Sequence, residues 1–215
     1  MPSSEINQLF NLLDNWRLLP AYQLERRADI FFALYLEHII QDILKLKVLK
    51  IIPEFPMHKK TLDENGTNQS FKMDYLVVCE TKVLFIELKT DSSSINEKQH
   101  QYLEQAKAAT IPKLIDGLLE INKATKQKVK CARLLKQLAE EKIAWLKSEN
   151  SNWENTGTNQ EIEIVYIQPN LEENIKGYSI IPFKKVATSI EQIGSHMALR
   201  FAKSLRSWQV SPNDN

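Results

Sequence analysis

Cysteine and histidine are scarce in this chain of 215 residues, and neither is spaced like a set of zinc ligands. The two cysteines, Cys79 and Cys131, lie far apart, without a Cys-x-x-Cys pair or a neighbouring histidine. The four histidines show no ligand spacing either. This scarcity argues against a zinc site and against a disulfide framework. Any metal bound here would be a hard ion held by carboxylate oxygens.

Long apolar runs are missing as well. The longest stretches, such as residues 30–36, are short and interrupted, and none has the length needed to cross a bilayer. The opening segment, MPSSEINQLF, lacks the basic part and the apolar run of a signal peptide. These features predict a cytoplasmic protein without membrane partners.

The net charge is only +1, far less basic than is common in dedicated nucleic-acid-binding proteins. The charge is unevenly distributed, however. Residues 123–147 hold eight Lys or Arg against Glu140 and Glu141, a local balance of 8 − 2 = +6. Two interpretations stay open, a solvated helix face or a basic helical arm that contacts phosphates.

The pattern of apolar residues predicts an α/β fold with a mixed sheet flanked by helices. We expect one domain over residues 1–215, with a helical insertion at about 110–150. Residues 59–70 are expected to form a loop, and residues 149–160 a polar linker. The predicted helices are 4–16, 24–46, a helix from the capping box at Ser94 that is interrupted at Pro112 and resumes to about Lys147, and a last helix from the capping box at Thr188 to about Trp208. The predicted strands are 47–52, ending at Pro53, then 71–79, 82–89, 161–168 and 178–183.

Two of these strands, residues 71–79 and 82–89, are separated by only two residues and predict a β-hairpin. If the turn closes symmetrically, the numbers of opposed residues add up to 161. Asp74 then faces Glu87, with Cβ atoms roughly 5 Å apart. Lys89 follows two residues after Glu87, so its side chain leaves the same face of the sheet.

Two opposed carboxylates repel each other, and a cation between them would offset that repulsion. Mg²⁺ suits such a site, because it accepts one or two carboxylates and keeps waters or phosphate oxygens as its other ligands. The backbone carbonyl of Leu88 is a further candidate ligand. Lys89 could orient the attacking water and offset charge on the phosphoryl group. The alternative is that Asp74, Glu87 and Lys89 form a salt-bridged polar patch at a sheet edge.

With Asp74, twelve intervening residues and then Glu87-x-Lys89, the chain resembles the PD-(D/E)XK superfamily of restriction-endonuclease-like phosphodiesterases. The resemblance covers about residues 25–110, and more loosely residues 161–208. It implies an αβββαβ core in which the acidic pair binds Mg²⁺ or Mn²⁺. It also implies that Asp74, Glu87 and Lys89 are catalytic, with the lysine assisting hydrolysis of a phosphodiester bond.

The same resemblance suggests additional site residues. Many members carry a glutamate on the helix before the sheet, for which Glu37 is the best match, and Glu54 after the first strand is a second candidate. Some branches place Gln and Tyr on the helix after the Glu-x-Lys strand, where Gln99 and Tyr102 share one helical face. The alternatives are that Glu37 reaches solvent from the helix edge, and that Tyr102 packs as part of an ordinary amphipathic helix.

Two function hypotheses follow from the resemblance. The first is a nuclease dependent on Mg²⁺ or Mn²⁺ that cleaves nucleic acid, with DNA favoured over RNA. The second is a catalytically inactive member that binds nucleic acid or another protein. A homodimer formed through the helical block at 110–150 is compatible with either, because many enzymes that cut DNA act as two-fold dimers.

Overall fold

The computed structural model describes residues 2–63, 66–67, 69–90, 97–149, 152–170 and 178–209. The helices are α1 (Pro2–Trp16), α2 (Leu24–Ile39), α3 (Lys59–Leu62), α4 (Glu97–Ala124), α5 (Lys128–Leu138), α6 (Phe183–Glu191) and α7 (His196–Ser207). The strands are β1 (Val48–His58), β2 (Ser70–Cys79), β3 (Lys82–Leu88), β4 (Leu146–Glu149), β5 (Asn152–Asn155), β6 (Glu161–Gln168) and β7 (Ser179–Pro182). Within these ranges no helix has the length and apolar character of a membrane span.

The chain divides into two compact units. Unit 1 comprises Met1–Val48, Glu87–Ile95 and Val165–Asn215, and unit 2 comprises Leu49–Ile86 and Asn96–Ile164. The strands follow the order β1-β2-β3-β6-β7 in a five-stranded sheet, and β4 and β5 form a separate two-stranded sheet. Because β2 and β3 are antiparallel while β6 and β7 are parallel, the larger sheet is mixed. The predicted α/β class with a mixed sheet flanked by helices is confirmed at this level.

The predicted hairpin is confirmed with its register. Val78 pairs with Val83, and the ladder continues residue by residue to the pair of Tyr75 and Ile86, so every pair adds up to 161. The short link between two strands rich in Val, Ile and Phe leaves little freedom for another alignment.

Strand β1 is longer than the sequence predicts. It continues through Pro53 and Pro56 to His58, where the sequence suggested an end at Pro53. Because β1 stands first in the strand order, it lies at the edge of the described sheet, where a proline is tolerated if its nitrogen faces away from the neighbouring strand. Glu54, between the prolines, has a φ of 49°.

The helical boundaries also differ from the prediction. Helix α2 ends at Ile39 and a π-helical turn, Ile40–Leu44, follows, closed by Lys45 with a φ of 58°. Residues 59–70 are not simply a loop, because they begin with the four-residue helix α3. The expected interruption of α4 near Pro112 is confirmed as a kink at Thr110, where φ is 70°.

The stretch predicted as a helix to about Lys147 and a polar linker contains a hairpin. Helix α5 ends at Leu138, and the short strands β4 and β5 then pair in an antiparallel register. Alternating exposed and half-buried residues in β5 suit a short surface hairpin, and the polar composition that suggested a linker also fits such a hairpin.

The last predicted helix is two helices. Thr188 lies inside α6, where its Oγ1 donates to the Lys184 carbonyl, 3.0 Å away, instead of capping a helix. The cap of α7 is Ser195, whose Oγ accepts from the Ala198 N–H at 3.2 Å. The capping box that begins at Ser94 lies at the edge of residues 91–96, which are outside the described part of the chain.

Each unit has its own core. In unit 1 the α1, α2 and α7 helices pack around Phe201, whose ring centroid lies 5.7 Å from Phe10 and 5.1 Å from Phe32. Asp14 anchors this packing, because it accepts from Arg200 Nη2 at 2.7 Å and from Trp208 Nε1 at 2.9 Å. In unit 2 the buried side of the hairpin and the apolar side of α4 supply most of the core.

Candidate active site

The end of β3 carries a buried pair of opposite charges. The Glu87 side chain is 0% exposed and that of Lys89 is 6% exposed. Lys89 Nζ donates to Glu87 Oε2 at 3.4 Å. Since the two residues are two apart on an extended chain, they leave the same face. Burial removes both ions from water, which costs free energy. The fold tolerates this cost only where close partners compensate for the lost hydration.

A second carboxylate reaches the same lysine from helix α2. Glu25, in the first turn of that helix, has its Oε2 4.0 Å from Lys89 Nζ and is 35% exposed. The first turn of a helix favours an acidic residue, because the helix dipole is positive there. The sequence offered that signal, but it does not distinguish Glu25 from an ordinary helix-start residue.

Glu37, the glutamate that the family pattern suggested, lies elsewhere on α2. It is exposed, and its Oε1 accepts from Gln41 Nε2 at 3.0 Å. The helix therefore brings Glu25, twelve residues earlier, to Lys89. Glu54, the second candidate, is exposed on β1 and forms an ion pair with the exposed Lys72.

Strand β6 lies beside β3 and runs in the same direction. At the first end, Lys82 Nζ is 3.1 Å from Glu161 Oε1 and 3.1 Å from Glu163 Oε2. At the other end, the backbone N–H of Lys89 donates to the Ile167 carbonyl at 2.8 Å. A parallel ladder with both contacts aligns each β3 residue with the β6 residue numbered 79 higher. Lys89 is thereby aligned with Gln168.

Gln168 shares the face of Glu87 and Lys89. Lys82 contacts Glu161 and Glu163 on one face of the sheet. Side chains alternate between the faces along a strand, and Glu87, Lys89 and Gln168 each lie an odd number of positions from these residues on their own strands. Their side chains therefore leave the opposite face. No sequence motif indicated Gln168. The only signal was a glutamine at the end of an otherwise apolar strand.

The Gln168 amide is fully buried and fixed in orientation. Its Nε2 donates to the Asn170 carbonyl at 2.9 Å, an arrangement that the flipped amide could not make. Its Oε1 is buried and has no hydrogen-bond partner in the described parts of the chain. Buried acceptors of this kind are rare and call for a specific explanation.

Asp74 lies on β2 and is half-buried. It immediately precedes Tyr75, whose pairing with Ile86 is the last pair of the confirmed register. Gln99 and Tyr102 lie in the first turns of α4. The Tyr102 ring stacks on Phe71 with centroids 4.8 Å apart, and Lys59 Nζ is 4.9 Å from its centroid. These contacts give Tyr102 a packing role within unit 2, as the alternative interpretation held.

The donor atoms of the predicted centre fit a hard cation. Asp74 and Glu87 supply carboxylate oxygens, and Leu88 supplies a backbone carbonyl, the ligand types that Mg²⁺ and Mn²⁺ accept. Across the described residues, no group of three or more His, Cys, Asp or Glu side chains is arranged to hold a metal. The predicted centre offers only two of these side chains, Asp74 and Glu87, so it falls short of a group of three.

Both cysteine thiols have raised pKa values. Burial raises the pKa of the Cys79 thiol to about 11, and burial also raises the pKa of Cys131. Because the thiolate is the form that binds metals and attacks electrophiles, the raised pKa values disfavour both roles at neutral pH.

Comparisons with known proteins return no relative. No family model matches the chain, and no curated protein or solved structure does so either.

Proposed function

We propose that this protein is a metal-dependent phosphodiesterase that hydrolyses nucleic acid, with DNA as the favoured substrate, on a PD-(D/E)XK-type site. The observation that carries the proposal is the buried pair of Glu87 and Lys89, with Glu25 beside it. Clusters of buried ionisable groups are typical of functional sites, because stability alone rarely favours them.

The carboxylates at this site are the ligand type that a hard cation prefers. Two carboxylates, those of Glu25 and Glu87, lie within 4.0 Å of the single Lys89 ammonium. In the pairing expected from the sequence, Asp74 would face Glu87 and add a third carboxylate.

Asp74, Glu87 and the Leu88 carbonyl would hold Mg²⁺ or Mn²⁺. Such an ion, when bound, lowers the pKa of its water and offsets negative charge on the phosphoryl group. Lys89 would donate to a phosphate oxygen, where its charge stabilises the developing negative charge. Glu25 would keep the Lys89 ammonium in position. The fixed Gln168 Oε1 would accept a hydrogen bond from the attacking water, whose orientation it would thereby restrict.

The decisive test is a cleavage assay on single-stranded, duplex and branched DNA with Mg²⁺ or Mn²⁺. We expect the wild type to cleave at least one of these, and Asp74→Ala and Lys89→Ala to lose about 100-fold or more. Glu120→Ala is the matched control, because it removes an exposed carboxylate of unit 2 that pairs with Lys123.

Equal rates for the wild type, Asp74→Ala and Lys89→Ala would refute the proposal. Circular dichroism of each variant separates lost chemistry from lost folding. If Asp74→Ala folds and cleaves normally while Lys89→Ala is inactive, the metal ligands would have to be sought elsewhere.

A further inference from the structure

Helix α5 presents a face of cations to solvent. It buries Leu135 and Leu138 on one side, while Lys130, Arg133 and Lys136 are exposed on the other. Six Lys or Arg occur between residues 121 and 139, and no Asp or Glu. We name Lys130, Arg133 and Lys136 the α5 cation face.

The other lysines of unit 2 differ, because many of them pair with acids. Lys123 Nζ lies 2.7 Å from Glu120 Oε1, and Lys142 Nζ lies 3.6 Å from Glu140 Oε2. The remaining examples are Lys50 with Glu140, Lys72 with Glu54, Lys82 with Glu161 and Glu163, and Lys147 with Glu149. The described part of the chain provides no such partner for the three cations of the α5 cation face.

The start of α5 is fixed to the end of α4. Lys128 Nζ donates to the carbonyls of Asn122 and Lys123, at 2.5 and 2.9 Å, and so caps the carboxyl end of α4. A cation in this position also suits the negative end of the helix dipole. The α5 cation face therefore projects from an anchored helix.

We propose that the α5 cation face binds the phosphate backbone of nucleic acid. Its residues recur every three positions, which spaces them about 4.5 Å apart along the axis and about 60° apart around it. Long, flexible lysines and the forked arginine suit a row of phosphates. Binding follows from this charge alone, whereas the statement that the bound strand is also the one cleaved rests on the proposed function.

A lipid surface fits this helix less well. Helices that lie on membranes insert an apolar side between the lipids. The apolar side of α5 is already packed in unit 2, and Val129 is its one large apolar residue on the exposed side. The favoured partner is therefore a water-soluble polyanion.

The test measures binding without turnover. Fluorescence anisotropy of the full chain with labelled duplex DNA, in EDTA and between about 50 and 200 mM NaCl, gives the affinity and its dependence on salt. We expect Lys130→Gln/Arg133→Gln/Lys136→Gln to lower the affinity more than tenfold. The slope of log K against log salt should shrink by up to about 2.7, since each phosphate contact contributes about 0.9.

A second triple variant, Lys123→Gln/Lys142→Gln/Lys147→Gln, is the matched control. It removes the same charge from the same unit, but from exposed lysines that pair with acids. Affinity and slope close to those of the wild type are expected. Equal losses in both variants would overturn the proposal, because net charge would then explain the binding.

Binding of the wild type is also measured with two other polyanions, vesicles that contain anionic lipid and, separately, polyglutamate. Binding of the wild type to either one without binding to DNA would also overturn the proposal. The outcome is independent of catalysis: DNA binding that depends on the α5 cation face supports this inference even if no cleavage is found. If the wild type cleaves DNA and the Lys130→Gln/Arg133→Gln/Lys136→Gln variant binds DNA as well as the wild type does, this inference is refuted and the proposed function stands.

Discussion

The most deeply buried ion pair of unit 1 differs from the ion pairs of unit 2 in its exposure to water. Unit 1 holds Glu87 and Lys89 almost fully out of water, whereas unit 2 keeps most of its ion pairs at the surface, as with Lys72 and Glu54, whose side chains are 58% and 66% exposed. Exposed pairs contribute little to stability because water already solvates both partners. A buried pair carries a large penalty for desolvation. Stability alone therefore does not account for the burial of the Glu87–Lys89 pair.

The largest effect on stability is expected at Lys89. Lys89→Met leaves the Glu87 carboxylate buried without its ammonium, so we expect unfolding free energy to fall by about 3–5 kcal/mol. Urea unfolding at pH 7 measures the change. The double variant Glu87→Gln/Lys89→Met removes both charges and should recover much of that stability while remaining inactive. If the double variant is no more stable than Lys89→Met, the burial of the charged pair is not what the single variant disrupts.

Gln168 allows activity to be separated from stability. Gln168→Met keeps the length and removes the buried Oε1 acceptor, so we expect the free energy of unfolding to change by less than about 1.5 kcal/mol. The turnover number should fall by up to about 100-fold, because the attacking water loses a fixed partner. Steady-state cleavage kinetics and urea unfolding give the two quantities. A raised KM with an unchanged kcat would assign Gln168 to substrate binding instead.

The sequence predicts local features of this fold well. The hairpin register followed from two strand-forming segments and the two residues between them, Glu80 and Thr81. The bounds of β6, Glu161–Gln168, agree with the alternating pattern. Both features depend on residues that are close in sequence, and the alternation of apolar and polar residues is enough to predict such strands.

Features that depend on tertiary context were harder to predict. Pro53 indicated a strand end, but the position of β1 at the sheet edge lets the strand continue. Glu25 lies near Lys89, and Gln168 is aligned with it, only in the folded chain. Since Glu25 and Lys89 are 64 positions apart (89 − 25), helical or strand periodicity could not connect them.

Glu25 tests whether a half-exposed carboxylate helps the buried lysine. Glu25→Gln should lower the cleavage rate by up to about fivefold, since a pair of this exposure contributes at most about 1 kcal/mol. Glu191→Gln is the matched control in the same unit, because its carboxylate has a similar exposure, 36%, and pairs with Arg206 instead. Cleavage rates that fall equally in both variants would show that Glu25 has no special relation to Lys89.

A small effect is expected at Lys82 of β3, which forms ion pairs with Glu161 and Glu163 of β6. Hydrogen bonds from Lys82 to Glu163 and then Glu161 raise its pKa above 10.5. A raised folded-state pKa gives stability that is fully present below about pH 10.5 and is lost as the pH rises through the folded value. Lys82→Gln should therefore lower the free energy of unfolding by less than about 1 kcal/mol at pH 7. That difference should shrink in urea titrations above about pH 10.5. Lys72→Gln, at a more exposed pair, should show still less, and a loss at Lys82 as large as that at Lys89 would remove the distinction between the two units.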